Sequence, residues 1–242
     1  MTSVSDLLSA LEKASVLARR NTPPYVRRCE VGGILPEAIA LDIDAKDYQV
    51  RPDESESLFA DYYSACTTHA RCREMRIRLW LENKSSSVMR VVGIQPNKRV
   101  VDYSFQSAVA FPPQGAISGE AERFECLLDR DAPTMKKFSL RGTERIYTST
   151  DYYFDEGVLE FSPGHMLCLS IIFVADQRTY QIEPELILEI NGNTRALPFP
   201  LEQECIICPI SVIPEEMMYV RTFSRTPPFI SPNPELFKRC CS

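Results

Sequence analysis

The chain has 242 residues, a net charge of −6, 44% hydrophobic and 25% charged residues. That is enough chain to bury a core without disulfide or metal staples, in a balance that excludes a disordered or collagen-like protein. The acidic total argues against a general nucleic-acid coat, and no apolar run reaches the roughly 18 to 20 residues of a membrane-spanning helix.

The first predicted element is a helix over residues 3–20, "SVSDLLSALEKASVLARR". Val4, Leu7, Leu8, Leu11, Ala14 and Ala18 recur at helical spacing, Ser3 and Asp6 have capping-box spacing, and Pro23 and Pro24 end it. The same stretch lacks the basic start and unbroken apolar core of a secretion signal, and Asp6 and Glu12 do not suit a mitochondrial presequence. A reducing, cytoplasmic location is therefore expected, with the nine cysteines mostly free. Ile39, Leu41 and Ile43 alternate as a short strand, with Asp42 and Asp44 on one face. Early acids followed by Leu58, Phe59, Tyr62, Tyr63 and Cys66 predict a second helix over 53–70.

From residue 75 the period changes to two. Met75, Ile77, Leu79 and Leu81 take one face of a strand; Arg76, Arg78, Trp80 and Glu82 take the other. "NKSSS" reads as a hairpin loop and "VMRVVGI" as the return strand, while "FPPQGAISG" is a loop and "KFSLRG" and "ERIYTSTDYYF" are candidate strands. Pro163-Gly164 forms a turn before the buried strand "HMLCLSIIFV". Leu186, Leu188 and Ile190 alternate up to Asn191-Gly192, the pair that supplies the positive φ angles of a type I′ hairpin. "ECIICPISVI" is a further apolar strand broken at Pro209. From Pro214 the prolines at 227, 228, 232 and 234 predict an extended arm outside the core.

Many short strands without alternating helices predict a mainly β fold. The expected organisation is an N-terminal helical and extended region over 1–70, an antiparallel β-sandwich over 71–213 and a Pro-rich arm over 214–242. "RLWLENKSSSVMRVVGI" and "FSPGHMLCLSIIF" together resemble the strand signatures of immunoglobulin-like and arrestin-like sandwiches, over about a third of the chain. The resemblance implies an architecture and no function. The Cys…Trp…Cys spacing of antibody-type domains is missing, since the single Trp80 falls on the outer face.

Candidate chemistry is sparse. Cys66, His69 and Cys72 lie close in sequence and Cys205 and Cys208 add two thiols, so a zinc site or a thiol enzyme using Cys66, His69 or His165 is one reading. Buried thiols acting as small apolar side chains are the plainer one. No phosphate loop, nucleophile elbow or metalloprotease motif is present. Asp-x-Asp pairs at 42/44 and 129/131 suit a hard cation but recur by chance on solvated turns. Cys240 and Cys241 beside Lys238 and Arg239 are placed for lipidation, although the prenylation box is incomplete.

The clearest asymmetry is residues 71–100, where eight basic residues face two acids, giving +6 in a chain of −6 and leaving −12 elsewhere. Arg76, Arg78 and Trp80, with Arg71 and Arg73 behind them, are the expected contacts to an anionic partner. Two guanidiniums beside an indole suit an acidic peptide, or phosphates with a stacked base. Pairing of these arginines with acids on neighbouring strands is the structural alternative. The leading expectation is a non-enzymatic binding or adaptor protein with a protein partner. The second is a structural or accessory protein of a eukaryotic virus, a self-assembling sandwich or jelly-roll homo-oligomer with nucleic-acid contacts.

Overall fold

The structure is a computed structural model that describes residues 22–32, 37–47, 65–111, 121–132, 134–142, 144–149, 151–201, 204–221, 228 and 230–241. Within them the chain is mainly β, in three largely antiparallel sheets consistent with a β-sandwich. The predicted helix over 3–20, residues 53–64 of the second and the loop at 112–119 lie outside the described residues. The expected end of the second helix is overturned, because His69 and Ala70 lie in a strand. The Asp42 carboxylate accepts hydrogen bonds from the Thr67 and Thr68 amides at 3.2 and 2.9 Å. This holds the backbone extended, for pairing with Ile39–Leu41.

A six-stranded sheet runs β1 (Tyr25–Val31), β4 (Glu74–Glu82), β12 (Met166–Val174), β8 (Glu122–Leu127), β9 (Lys136–Arg141) and β10 (Glu144–Tyr147). A four-stranded sheet runs β11 (Leu159–Phe161), β5 (Met89–Gln95), β14 (Glu185–Ile190) and β15 (Asn193–Pro198). The alternation read from the sequence decides how they face. Met75, Ile77, Leu79 and Leu81 of β4 meet Met89 and Val91 of β5 and Leu186, Leu188 and Ile190 of β14 in one buried cluster. Both layers therefore turn their apolar positions inward, where each buried Leu or Ile contributes roughly 1.5–3 kcal/mol.

The expected hairpin of residues 75–96 does not form. β4 hydrogen-bonds to β1 and β12, whereas β5 hydrogen-bonds to β11 and β14 in the opposite layer. The "NKSSS" segment is a corner between layers, and the wholly buried Asn83 builds it. Asn83 Nδ2 donates to the carbonyls of Ser87 and Phe161 at 2.8 and 2.9 Å, and its Oδ1 accepts from the Ser85 amide and hydroxyl at 2.9 and 2.7 Å. Pro163-Gly164 closes against the same corner, with Gly164 at φ 76° donating to the Asn83 carbonyl. Asn191 and Gly192 take φ 52° and 75° between β14 and β15, as a type I′ turn requires.

The third sheet of the described residues has eight strands: β18 (Ile230–Pro232), β17 (Met218–Arg221), β7 (Ser107–Phe111), β2 (Glu37–Leu41), β3 (His69–Cys72), β16 (Cys205–Cys208), β13 (Tyr180–Ile182) and β6 (Lys98–Val100). "PISVI" does not extend β16 beyond Pro209; Ile210–Val212 is a 3-10 turn. β3 passes into β4 through Arg73, at φ 63°, so one continuous stretch serves two sheets. The expected extended arm after Pro214 is a correction. β17 is buried and pairs parallel to β7, and a helix α1 (Pro234–Cys240) lays the fully buried Phe237 on the same sheet. Asn233 caps α1 by accepting from the Leu236 amide at 3.0 Å, and Pro234 opens its first turn. Here Pro232 marks a strand end and Pro234 a helix start.

Candidate functional site

The outer face of the six-stranded sheet carries the predicted surface. Arg76, Arg78, Trp80 and Glu82 of β4 are half-buried and alternate with the buried inner row. The register adds neighbours from other strands. Trp80 lies between Arg28 of β1 and Cys168 of β12. Arg78 lies between Glu30 and Ser170, and Ser170 in turn faces Arg123 of β8. Four arginines from three strands thus share one face of the sheet. The Arg28 guanidinium sits 5.4 Å from the Trp80 ring centroid and pairs with Glu30. Burial raises the Cys168 thiol, and the charges of Arg78 and Arg123 oppose part of that rise.

One end of the face is closed. The β9–β10 hairpin packs Phe138 and Leu140 against Ile172 and Val174. Arg145 ties it down, bonding Glu74 at 2.5 Å and the buried Glu125 at 2.6 Å, and Tyr147 donates to both Glu125 oxygens at 2.8 Å. Burial alone would lower the Arg145 guanidinium, but its two carboxylate partners raise it instead. At the other end Glu82 binds Arg27 at 2.8 Å, and the Lys84 ammonium sits 4.1 Å from the Tyr25 ring centroid.

The rest of the 71–100 charge cluster disperses. Arg71 is only 8% exposed, on β3. Arg73 sits at the sheet crossing and bonds Asp176 at 2.9 Å and the Cys241 carbonyl at 2.7 Å. Arg90 is on the four-stranded layer, paired with Glu160 and Glu189. The Lys98 ammonium is held by the carbonyls of Leu128 and Arg130, and Arg99 bonds Gln181 at 2.5 Å. Arg71 and Arg73 are therefore not brought together with Arg76 and Arg78. Arg28 and Arg123, which sequence reasoning missed, are, and only strand pairing identifies them.

The metal candidates separate. Cys66 packs with Ile39 and Leu41, whereas Cys72 belongs to a different buried cluster with Ala38 and Ala40. His69 and Cys72, three apart on a strand, point to opposite faces. Burial raises the Cys66 thiol to about 11, away from the thiolate that zinc needs. Among the described residues no three His, Cys, Asp or Glu side chains converge as metal ligands do. Asp42 and Asp44 lie in the bend after β2, not on a strand face. Asp42 holds the Thr67 and Thr68 amides, and Asp44 accepts from the Lys46 amide and the Tyr219 hydroxyl. Asp129 accepts from the amides of residues 176 to 178. Cys240 and Cys241, considered for lipidation, are both buried. Among the described residues no helix is long and apolar enough to cross a membrane.

Comparison with protein families, curated proteins and solved structures finds no match to this chain.

Proposed function

We propose that this chain is a non-enzymatic binding protein, a cytoplasmic β-sandwich of adaptor type, whose outer six-stranded face takes an acidic segment of a protein partner. The observation that carries the reading is the meeting of Arg28, Arg76, Arg78 and Arg123 from three strands on one face, with Glu30 in register beside Arg78 and Glu125, already paired with Arg145, in register beyond Arg76. Guanidinium forks hold carboxylates in pairs, which suits a peptide rich in Asp and Glu. Arg28 already covers a Trp80 ring face, which disfavours base stacking and ranks nucleic acid second.

Trp80 is the sole tryptophan, so its fluorescence reports the site directly. A Glu-rich peptide titrated at low salt is expected to change Trp80 emission and to bind more weakly at high salt. The double variant Arg76→Ala/Arg78→Ala removes two charge-assisted contacts and should weaken binding by about tenfold or more. Peptide affinity unchanged in the double variant would overturn the reading, and tighter binding of a single-stranded oligonucleotide would transfer the site to nucleic acid.

Self-assembly is the second reading, favoured by β15, an edge strand exposed along nearly its whole length. A large assembly of defined mass by light scattering, lost when Thr194 is replaced by proline, would establish it.

A further inference from the structure

Strands β3 and β16 run parallel, and their register sets Cys72 directly beside Cys208. Both sit in one buried cluster with Phe237, Cys240 and Cys241 at the end of α1. Adjacent strands lie about 4.8 Å apart, within the Cα separation of roughly 4.4–6.8 Å that a disulfide spans. Arg73, the next residue after Cys72, links the pair to the helix. Its amide donates to the Cys208 carbonyl at 2.6 Å, and its guanidinium donates to the Cys241 carbonyl at 2.7 Å.

We propose that Cys72 and Cys208 are an oxidisable pair that α1 shields, closing to an intrachain disulfide when the helix lifts. With α1 packed down, burial pushes the Cys72 thiol well above its ordinary value and Cys241 to about 12, so the reactive thiolate is scarce. α1 has seven residues and rests on Phe237 for its packing. A helix this short holds only through its tertiary contacts and opens locally before the sheet does. The oxidant is a hydroperoxide. One thiolate attacks the peroxide oxygen and becomes a sulfenic acid as the O–O bond breaks. The second thiol then attacks that sulfur and displaces water. With hydrogen peroxide, two thiols and one peroxide become one disulfide and two waters, and a thiol reductant reverses the change by exchange.

The test treats the reduced full chain with hydrogen peroxide and maps disulfides by non-reducing peptide mass spectrometry. A Cys72–Cys208 link that dithiothreitol reverses and Cys208→Ser abolishes is expected. Phe237→Ala, which loosens α1, should raise the rate about tenfold or more, while Leu236→Ala on the exposed side leaves it unchanged. Should Phe237→Ala fail to fold by circular dichroism, Arg73→Gln carries the same test, since it cuts the tie to Cys241. A Cys72 that stays a thiol, a link from Cys72 to Cys240 or Cys241, or a rate indifferent to loosening α1 would overturn the proposal.

Discussion

Replacing Asn83 by alanine probes the corner that sends β4 and β5 into opposite layers. The substitution keeps both backbone bonds at this position, the Asn83 amide to the His165 carbonyl and the Gly164 amide to the Asn83 carbonyl. It removes four side-chain bonds of 2.7–2.9 Å. Each is worth roughly 0.5–1.5 kcal/mol net, and a buried carbonyl or amide left unpaired costs about 1–3 kcal/mol. The Ser85 hydroxyl retains its bond to the Ser87 carbonyl at 2.9 Å, which softens the loss. The expected destabilisation is therefore about 3–5 kcal/mol. Urea unfolding followed by Trp80 fluorescence measures it, with Ser86→Ala, exposed on the same corner, as a control expected within about 0.5 kcal/mol of wild type. A midpoint shift for Asn83→Ala equivalent to less than about 1 kcal/mol, at unchanged slope, would rule out a buried structural corner, because a solvent-exposed hairpin loop would respond in that way.

Further outcomes follow from other contacts. Arg145→Met leaves the buried Glu125 without its cation and should cost about 3–5 kcal/mol in the same assay, with Tyr147→Phe costing roughly 1–2 kcal/mol. Gly192 has φ +75° and open space around a Cβ, so Gly192→Ala should cost only the backbone strain, about 1–2 kcal/mol by thermal or urea unfolding. Burial, assisted by Arg71, lowers the His69 pKa below its ordinary 6.5. Its contribution to stability is thus intact above pH 6.5 and is lost as pH falls through the lowered value, because the unfolded chain takes up the proton first. Stability should fall between pH 7 and 5, and His69→Gln should flatten that slope in urea titrations at each pH.

Local pattern carried much of this far. The period-two run from Met75 to Leu81 specified both a strand and which face it buries, and Arg76, Arg78 and Trp80 do share the outer row. The candidate site was legible only in part, since Arg28 and Arg123 lie 50 and 45 residues from Arg78 and reach it only through β1, β12 and β8. The reverse error has the same origin. Arg71, Arg73 and Arg90 are close to Arg78 in sequence, yet the chain changes sheet at Arg73 and changes layer at Asn83.

Features whose energetics are local could be read from the residues alone: alternation of apolar side chains, the Asn191-Gly192 turn, the Pro163-Gly164 turn and the break at Pro209. Strand partners could not be read in that way. Backbone amides and carbonyls are chemically alike along the chain, so nothing local tells β4 to pair with β12 instead of β5. That choice belongs to the packing of whole layers and to one buried asparagine at the corner between them, just as the buried Phe237 holds residues 234–240 on the third sheet.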